Sequence, residues 1–442
     1  MSDPVSDIGE TAESASGRGV RAGIVVTGSE LLTGQLRDLN GPWLAGQLGA
    51  LGIEVAEIVV VGDRPDDLAG ALRFLADAPV DLIVTSGGLG PTADDVTAEV
   101  VGGFAGLPMV LDPDMEAHIA EILRRFAARR GFAGPALDAA NRKQATVPSG
   151  AILLNPVGTA PGLVVAVPGG PVVVVLPGPP RELHGMWDDA LATPPLTELL
   201  VRTPPFAAVH LRMYGLPESE IAQTLREVGA EVDLRDVEIT TCLRRSELEI
   251  DLRYRPGTPG SEAACDKLVA EIERRHGSYL VATDGTPTDE QVAQLLAGHR
   301  IGLAESCTGG LLAGRLTNRP GSSDYVAGGV VSYSNESKVA LLGVPAELIE
   351  QYGAVSPQVA RAMADGALRV FDADIAVAIT GVAGPGGGTE EKPVGYVCFC
   401  VVTSEGQVRE ASPVLPGGRT DIRERSTDLA MHLIRRTLTP TP

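Results

Sequence analysis

The sequence predicts a multidomain α/β protein: a parallel α/β domain over residues 21–200, a small α+β segment over 206–282 and a second α/β domain over 284–442. Three observations predict it. The chain has 442 residues, more than one ordinary hydrophobic core organises. From Arg21 onward, short β-branched runs alternate with helical patterns, the signature of a parallel sheet. Proline pairs at 194–195 and 204–205 then read as a linker into a stretch with a different order of strands and helices.

In chain order, residues 1–20 are rich in Ser, Gly, Asp and Glu and read as a disordered tail. The first domain reads as strand 22–27, helix 39–51, strand 53–61, helix 65–77, strand 80–85 and helix 95–106. A longer helix over 113–130, strands at 163–167 and 172–176 and a helix over 180–191 complete it. The middle segment reads as strand 207–213, helix 218–228, strands 237–243 and 247–254 paired as a hairpin, and helix 261–276. The last domain opens with the capping-box pattern Thr288 to Gln291 ahead of Val292, Leu295 and Leu296 at helical spacing. An apolar strand at Ile301 and Leu303, a helix from Leu311 to Thr317 and a β-like run from Val326 to Ser332 follow. A strand at 374–380, a strand pair at 394–402 and 407–414, and a helix over 420–437 close the chain.

Composition narrows the function. With 44% hydrophobic and 21% charged residues the chain is globular, and with 4% aromatics its cores are built from Val, Leu, Ile and Ala. A net charge of −21 argues against nonspecific binding to nucleic acid or an anionic membrane, which needs a Lys and Arg excess. A small phosphorylated ligand in a local basic pocket remains compatible with it. Five cysteines, odd in number and without CxxC spacing, fit a reduced compartment with neither a disulfide framework nor a zinc site. Cys398 and Cys400 share a strand face and read as core. No run approaches the roughly 18 apolar residues of a membrane span, and no basic-then-apolar leader opens the chain, so a cytoplasmic protein is expected.

The stretch AESCTGG, Ala304 to Gly310, carries the sharpest chemistry. It puts Ser306 and Cys307 between a strand and a helix, where free backbone N–H groups can hold an anion or a developing oxyanion. A triad built within this half is disfavoured, because no histidine lies between Ile301 and Met431. Lysine is the remaining base, and Lys338 in YSNESK, Tyr333 to Lys338, is the candidate. A serine cap with a surface lysine on the following helix is the other reading of the same residues. In the first domain, TSGGLGPTADDVT places Gly87, Gly88 and Gly90 after an apolar strand and Asp94 and Asp95 at a helix start. Glycine amides there suit a phosphate, and the paired carboxylates suit a divalent metal or an oriented water. Thr27 to Gly34, with Glu30, Asp38 and Asn40, lines the same crevice. In the last domain TGVAGPGGG, Thr380 to Gly388, can cradle a phosphate with Gly381, Gly384 and Gly386, and Arg419 can pair with one.

Taken together these motifs resemble one family. AESCTGG, YSNESK, GAVSP, TGVAGPGGGTEEKPVG and GGR resemble the C-terminal domain of the CinA family. TGSELLTG, VGD, TSGGLGPTADD, NRKQA, NPVGTAPG and LPGPP resemble its N-terminal, molybdopterin-binding-like domain, and the resemblance spans 21–437. It implies a C-terminal nicotinamide-nucleotide amidohydrolase domain without cofactor and an N-terminal ADP-ribose pyrophosphatase domain needing a divalent metal, Mg, Mn or Co. It also implies a KH-like middle segment, small-molecule nucleotides as ligands and a homodimer. Carried over by motif, Ser306 is nucleophile, Lys338 base and Tyr333 a proton relay, while Thr308, Gly309, Asn335 and Thr380 line the substrate. Arg419 and the Gly-rich loop hold phosphate, and Asp94 and Asp95 serve the metal and water. Two departures stand out: Gly418 where an acid usually precedes the arginine, and Ser29 where Asn or Asp usually precedes Glu30. Competing readings are a pterin or nucleotidyl transferase and a non-catalytic competence-associated scaffold.

Overall fold

The computed structural model describes residues 19–130, 135–203 and 205–439. The expected tail thus lies almost wholly outside the described residues. The chain divides into two compact units, Met1–Ala207 with Arg255–Gly257, and Ala208–Tyr254 with Thr258–Pro442. Residues 208–254 and 258–282 therefore share a unit with the C-terminal elements.

The first unit is built on a six-stranded sheet in the order Glu54–Val61, Arg21–Thr27, Leu82–Ser86, Val172–Leu176, Gly162–Ala166, Ile152–Leu154. The first four strands run parallel, and the last two are antiparallel to their neighbours. Gly162–Ala166 departs from the parallel pattern of the first four strands because the turn between Ala166 and Val172 is too short for the crossover that parallel strands need. The strand runs are apolar on both faces because helices cover both. Ile24, Val26, Val84 and Val174 pack with Leu44, Leu48 and Trp187 on one side; Val25, Ile83, Val173 and Val175 pack with Leu72, Leu75 and Val101 on the other. Pro194 and Pro195, read as linker, instead open the helix Pro194–Val201, whose Leu196 and Leu199 join the core. Proline suits a first helical turn, since its missing N–H has no partner there anyway. The helix Pro135–Gln144 and the short strands Met109–Leu111 and Thr146–Pro148 were not anticipated.

The second unit holds two sheets. One has the strand order Val237–Arg244, Glu247–Tyr254, Ala207–Tyr214, Leu280–Ala282, and its first two strands form the expected hairpin, in register from Val237 with Tyr254 to Arg244 with Glu247. The other has the order Val326–Val331, Ile301–Glu305, Ile375–Gly381, Val397–Thr403, Val408–Ala411. Its first three strands are parallel and the last two antiparallel. Ala304, Ala376 and Ala378 face the helix Pro357–Val370, with Cys398 and Cys400 buried beside them; Leu303, Val377 and Phe399 face the helix Arg419–Leu438. The capping box expected at Thr288 does not form. The helix Thr288–Leu295 takes Pro287 as its cap, and Gln291 instead donates from Nε2 to the Thr286 carbonyl at 2.8 Å. Among the described residues no helix is long and apolar enough to cross a membrane.

Each main sheet places its first strand between the second and third, so the connections leave on opposite sides. That reversal of strand order opens a crevice at the C-terminal ends of the two flanked strands, where open α/β sheets bind ligands. Thr27 and Ser86 end the two strands in the first unit; Glu305 and Gly381 do so in the second.

Candidate functional sites

In the second unit Ser306 follows Glu305 directly, and its amide is fixed by the Ile379 carbonyl at 2.9 Å. Lys338 lies one turn into the helix Asn335–Leu342, whose start is fixed by a box in which Ser334 and Ser337 exchange hydrogen bonds. That cap turns Lys338 inward to 1% exposure. Its Nζ lies 3.1 Å from Ser306 Oγ and donates to the Ser332 carbonyl at 2.8 Å. Burial pushes the ammonium below the usual lysine range, while nearby Cys307 and Glu336 act the other way. The reading of Lys338 as a surface lysine does not describe this structure. Burial drives the neighbouring Cys307 thiol up to about 11, so it is a poor nucleophile at neutral pH.

The turn after Ser306 is held from two sides. Glu305, 1% exposed, accepts backbone N–H groups from Gly310, Leu312 and Ala313 at 3.0, 3.1 and 2.8 Å, capping the helix Leu311–Thr317. Arg423 donates to the carbonyls of Cys307 and Thr308 at 3.1 and 2.9 Å. A trans peptide points its C=O and N–H oppositely, so the Thr308 amide is turned away from Arg423. Among the described residues the Thr308 amide donates to no protein acceptor and the Cys307 amide meets only its own thiol, while Thr308 Oγ1 and Ser332 Oγ are buried without partners. A carboxylate ending an apolar strand looks solvated in sequence, and Glu305 was missed for that reason. Arg423 was visible at the start of the last helix but had no assigned role.

Other expected residues fall around this core. Arg419 donates to the Gly384 carbonyl at 2.7 Å and to the Tyr333 hydroxyl at 2.9 Å, so it is oriented without the acid that Gly418 replaces. Tyr333 is 59% exposed and meets the arginine rather than Lys338, whose amine is already enclosed by Ser306 and Ser332. The Tyr333 hydroxyl, expected to relay or orient the proton, is thus engaged by Arg419 in this structure. Thr380 is buried with its hydroxyl committed to the Ala354 carbonyl at 2.8 Å. Gly309 lies in the turn, Gly381 ends its strand, and Gly386 and Asn335 are exposed.

In the first unit a cavity of about 640 Å³ occupies the crevice, lined among others by Glu30, Asp38, Asn40, Asp94, Asp95 and Glu182. Gly87 accepts the Thr97 hydroxyl at 2.9 Å through its carbonyl. Gly88 has φ +67°, and a Cβ there would sit 2.1 Å from Thr97 Oγ1; a Cβ on Gly90 would sit 2.4 Å from Asp95 Oδ2. Only glycine lets this loop lie so close to the carboxylate. The NRKQA motif secures the loop: Gln144 donates to the Leu89 carbonyl at 3.0 Å and Lys143 to that of Thr92. Asn40 bridges Ser86 Oγ and the Gly178 carbonyl at 2.8 and 2.7 Å, leaving its Oδ1 buried without a partner. Burial raises the Glu182 carboxyl above its ordinary range.

Asp94 and Asp95 converge on one hydroxyl: Thr92 Oγ1 lies 2.5 Å from an oxygen of each and has one proton to share between them, and its bond to Asp94 lowers that carboxyl's pKa. Among the described residues no three His, Cys, Asp or Glu side chains converge as a metal cage. Two carboxylates beside glycine amides fit a hard divalent ion that shares its remaining positions with phosphate oxygens and water.

Comparison with known proteins follows the same division. Residues 286–438 match the CinA C-terminal domain, and residues 23–198 match a probable molybdopterin binding domain. A CinA-like protein of Mycobacterium marinum is 57% identical over 423 residues, covering 95% of this chain and 98% of the relative. The chain belongs to the CinA-like protein family. A CinA-like protein of Mycobacterium tuberculosis (strain H37Ra) is 54% identical, covering 96% of this chain and 98% of that relative. The crystal structure of competence/damage inducible protein CihA from Agrobacterium tumefaciens is 40% identical, covering 34% of this chain and 96% of that one, with a TM-score of 0.33.

The geometry around Glu305 generates a stability test of this CinA-like fold. Glu305→Ala leaves three N–H groups without their acceptor, at a cost of about 3 kcal/mol or more, since hydrogen bonds to charged groups contribute about 1.5–3 each. Urea denaturation should show a lower midpoint for the transition of the second unit, and an unchanged midpoint would contradict the capping role.

Proposed function

We propose that the C-terminal elements deamidate nicotinamide mononucleotide to nicotinate mononucleotide and ammonia without a metal. We infer as well that the N-terminal cavity hydrolyses ADP-ribose to AMP and ribose 5-phosphate with a divalent metal (Mg, Mn or Co). On this reading the ligands are small nucleotides. The observation that carries the first activity is the 3.1 Å approach of Lys338 Nζ to Ser306 Oγ, with both residues buried.

The neutral amine of Lys338 takes the Ser306 proton as Oγ attacks the carboxamide carbon, and the carbonyl electron pair becomes an oxyanion. The uncommitted Thr308 amide is the donor for that charge, joined by the Cys307 amide as it exchanges its weak bond to its own thiol for the oxyanion, and the Thr308 hydroxyl has a free valence for the carboxamide. When the C–N bond breaks, the departing nitrogen takes the proton from Lys338 and leaves as ammonia. A water then gives Lys338 its proton and its oxygen to the acyl carbon, and Ser306 Oγ leaves reprotonated. The N–H of Lys338 on the Ser332 carbonyl keeps the amine directed at Ser306, so that the neutral form presents its lone pair and the protonated form its proton. Arg419, steadied by Gly384 and Tyr333, has further N–H groups for the nucleotide phosphate.

In the first unit the Gly88 to Gly90 loop suits a diphosphate, and Asp94 and Asp95 would hold the ion. A divalent ion there would neutralise the diphosphate and polarise the scissile bond. Thr92 keeps the two carboxylates together, and Lys143 and Gln144 keep the loop in place.

Ser306→Ala should lower ammonia release from nicotinamide mononucleotide by roughly 10³-fold or more with the fold intact. Near-normal turnover would sink the serine mechanism. The base must be neutral, so activity should rise with pH through a Lys338 pKa below the ordinary 10.5 and then level off. Lys338→Arg, charged at every accessible pH, should abolish both the activity and this limb; a limb that survives belongs to another group. Asp95→Asn should collapse metal-dependent ADP-ribose cleavage while ammonia release persists, measured on the same preparation across a metal titration. Unchanged cleavage at limiting metal would remove Asp95 from the site.

A further inference from the structure

We propose that a recess at the tip of the hairpin in the second unit binds a small polyanion through a diphosphate group. The recess, of about 310 Å³, is lined by Arg212, Arg244, Arg245, Arg315 and Arg319 against only three acids, Glu247, Glu249 and Asp289. Five arginines in one recess are conspicuous in a chain with 36 Lys and Arg against 57 Asp and Glu.

The acids do not consume them all. Arg212 takes Glu249 at 2.6 Å and Glu247 at 3.2 Å. Arg315, whose side chain is only 10% exposed, takes Asp289 at 2.7 Å and Asp428 at 2.6 Å. Arg245 reaches the same Asp289 only at 3.4 Å. Among the described residues Arg244 and Arg319 have no side-chain partner, although Arg319 is half-buried. Two guanidinium forks without a side-chain partner among the described residues, and a third weakly engaged, face one recess.

The backbone gives a second, independent observation. Arg245 and Ser246 turn the hairpin with φ of +48° and +61°, the left-handed region that Asn and Gly occupy at least cost. Strain of this kind persists where the surroundings hold it. Here Ser246 Oγ is held by Asp428 at 3.0 Å, which places Arg244 and Arg245 over the recess. Small-molecule sites span about 300–1,000 Å³, so this one suits a compact anion. Guanidinium forks match phosphate oxygens bidentately, and two adjacent forks match a diphosphate better than a single phosphate. The site is separate from both candidate active sites, and the inference does not depend on the activities proposed for them.

The test is calorimetric titration of the full chain with inorganic pyrophosphate at low salt, with ADP as a second probe and AMP as the monophosphate comparison. Arg244→Ala/Arg319→Ala changes two side chains outside any packed core. It should remove one binding event per chain or weaken it roughly tenfold or more, as loss of charge-assisted donors requires. The event should persist in Arg419→Ala and Asp95→Asn, which separates it from the other phosphate-binding candidates. Loss of an ADP event in the double variant assigns a nucleotide as ligand, and loss of the pyrophosphate event alone assigns free diphosphate. Titrations of the double variant that superimpose on those of the unaltered chain overturn the proposal, as does AMP binding as tightly as pyrophosphate.

Discussion

Both candidate sites depend on one topological constraint: the first strand of each main sheet lies between the second and the third. Helical connections then leave on opposite sides, and the strand ends beneath them are left uncovered. In the first unit this exposes the ends of Arg21–Thr27 and Leu82–Ser86, and the glycine loop with Asp94 and Asp95 closes over them. In the second it exposes the ends of Ile301–Glu305 and Ile375–Gly381, and Ser306 is the first residue past the edge. The strands are tightly packed on both faces, so the chemistry is confined to their ends.

Burial is used in two opposite ways within a few residues. Glu305 is as buried as Lys338, but three backbone amides satisfy its oxygens, and it serves to hold the turn. Lys338 meets only a carbonyl and a hydroxyl, with no carboxylate bonded to it. Desolvation therefore outweighs attraction and favours the neutral amine, which is the form a base requires. Cys307, beside them, loses reactivity through the same burial. One low-polarity environment thus distinguishes the serine from the thiol.

Strand and helix positions were largely legible in the sequence, because β-branched runs and the helical period of Leu and Ala survive without tertiary context. The direction of Gly162–Ala166 was not, since parallel and antiparallel strands buried on both faces have the same composition, and the three-residue strand Ile152–Leu154 is too short to show in sequence at all. Pro194 and Pro195 misled because a proline pair marks a linker and a helix start equally well. At the site, elimination of histidine pointed from Ser306 to Lys338, and their separation needed the structure. The strand-to-helix turn signalled free amides after Ser306, but that Thr308 supplies the unspent one needed the structure, and Glu305 had no sequence signal because its role arises from backbone geometry. Tyr333 belongs to a motif that also contains Lys338, yet its hydroxyl turns to Arg419.

The central claim is that Ser306 Oγ becomes covalently acylated with Lys338 as the base. Rapid-quench mass spectrometry of the full chain during turnover of nicotinamide mononucleotide tests it most directly. The account predicts a nicotinoyl-nucleotide ester on the peptide containing Ala304 to Gly310, localised to Ser306 by fragmentation and absent from Lys338→Arg. Turnover with no adduct, or with an adduct on Cys307, would contradict it.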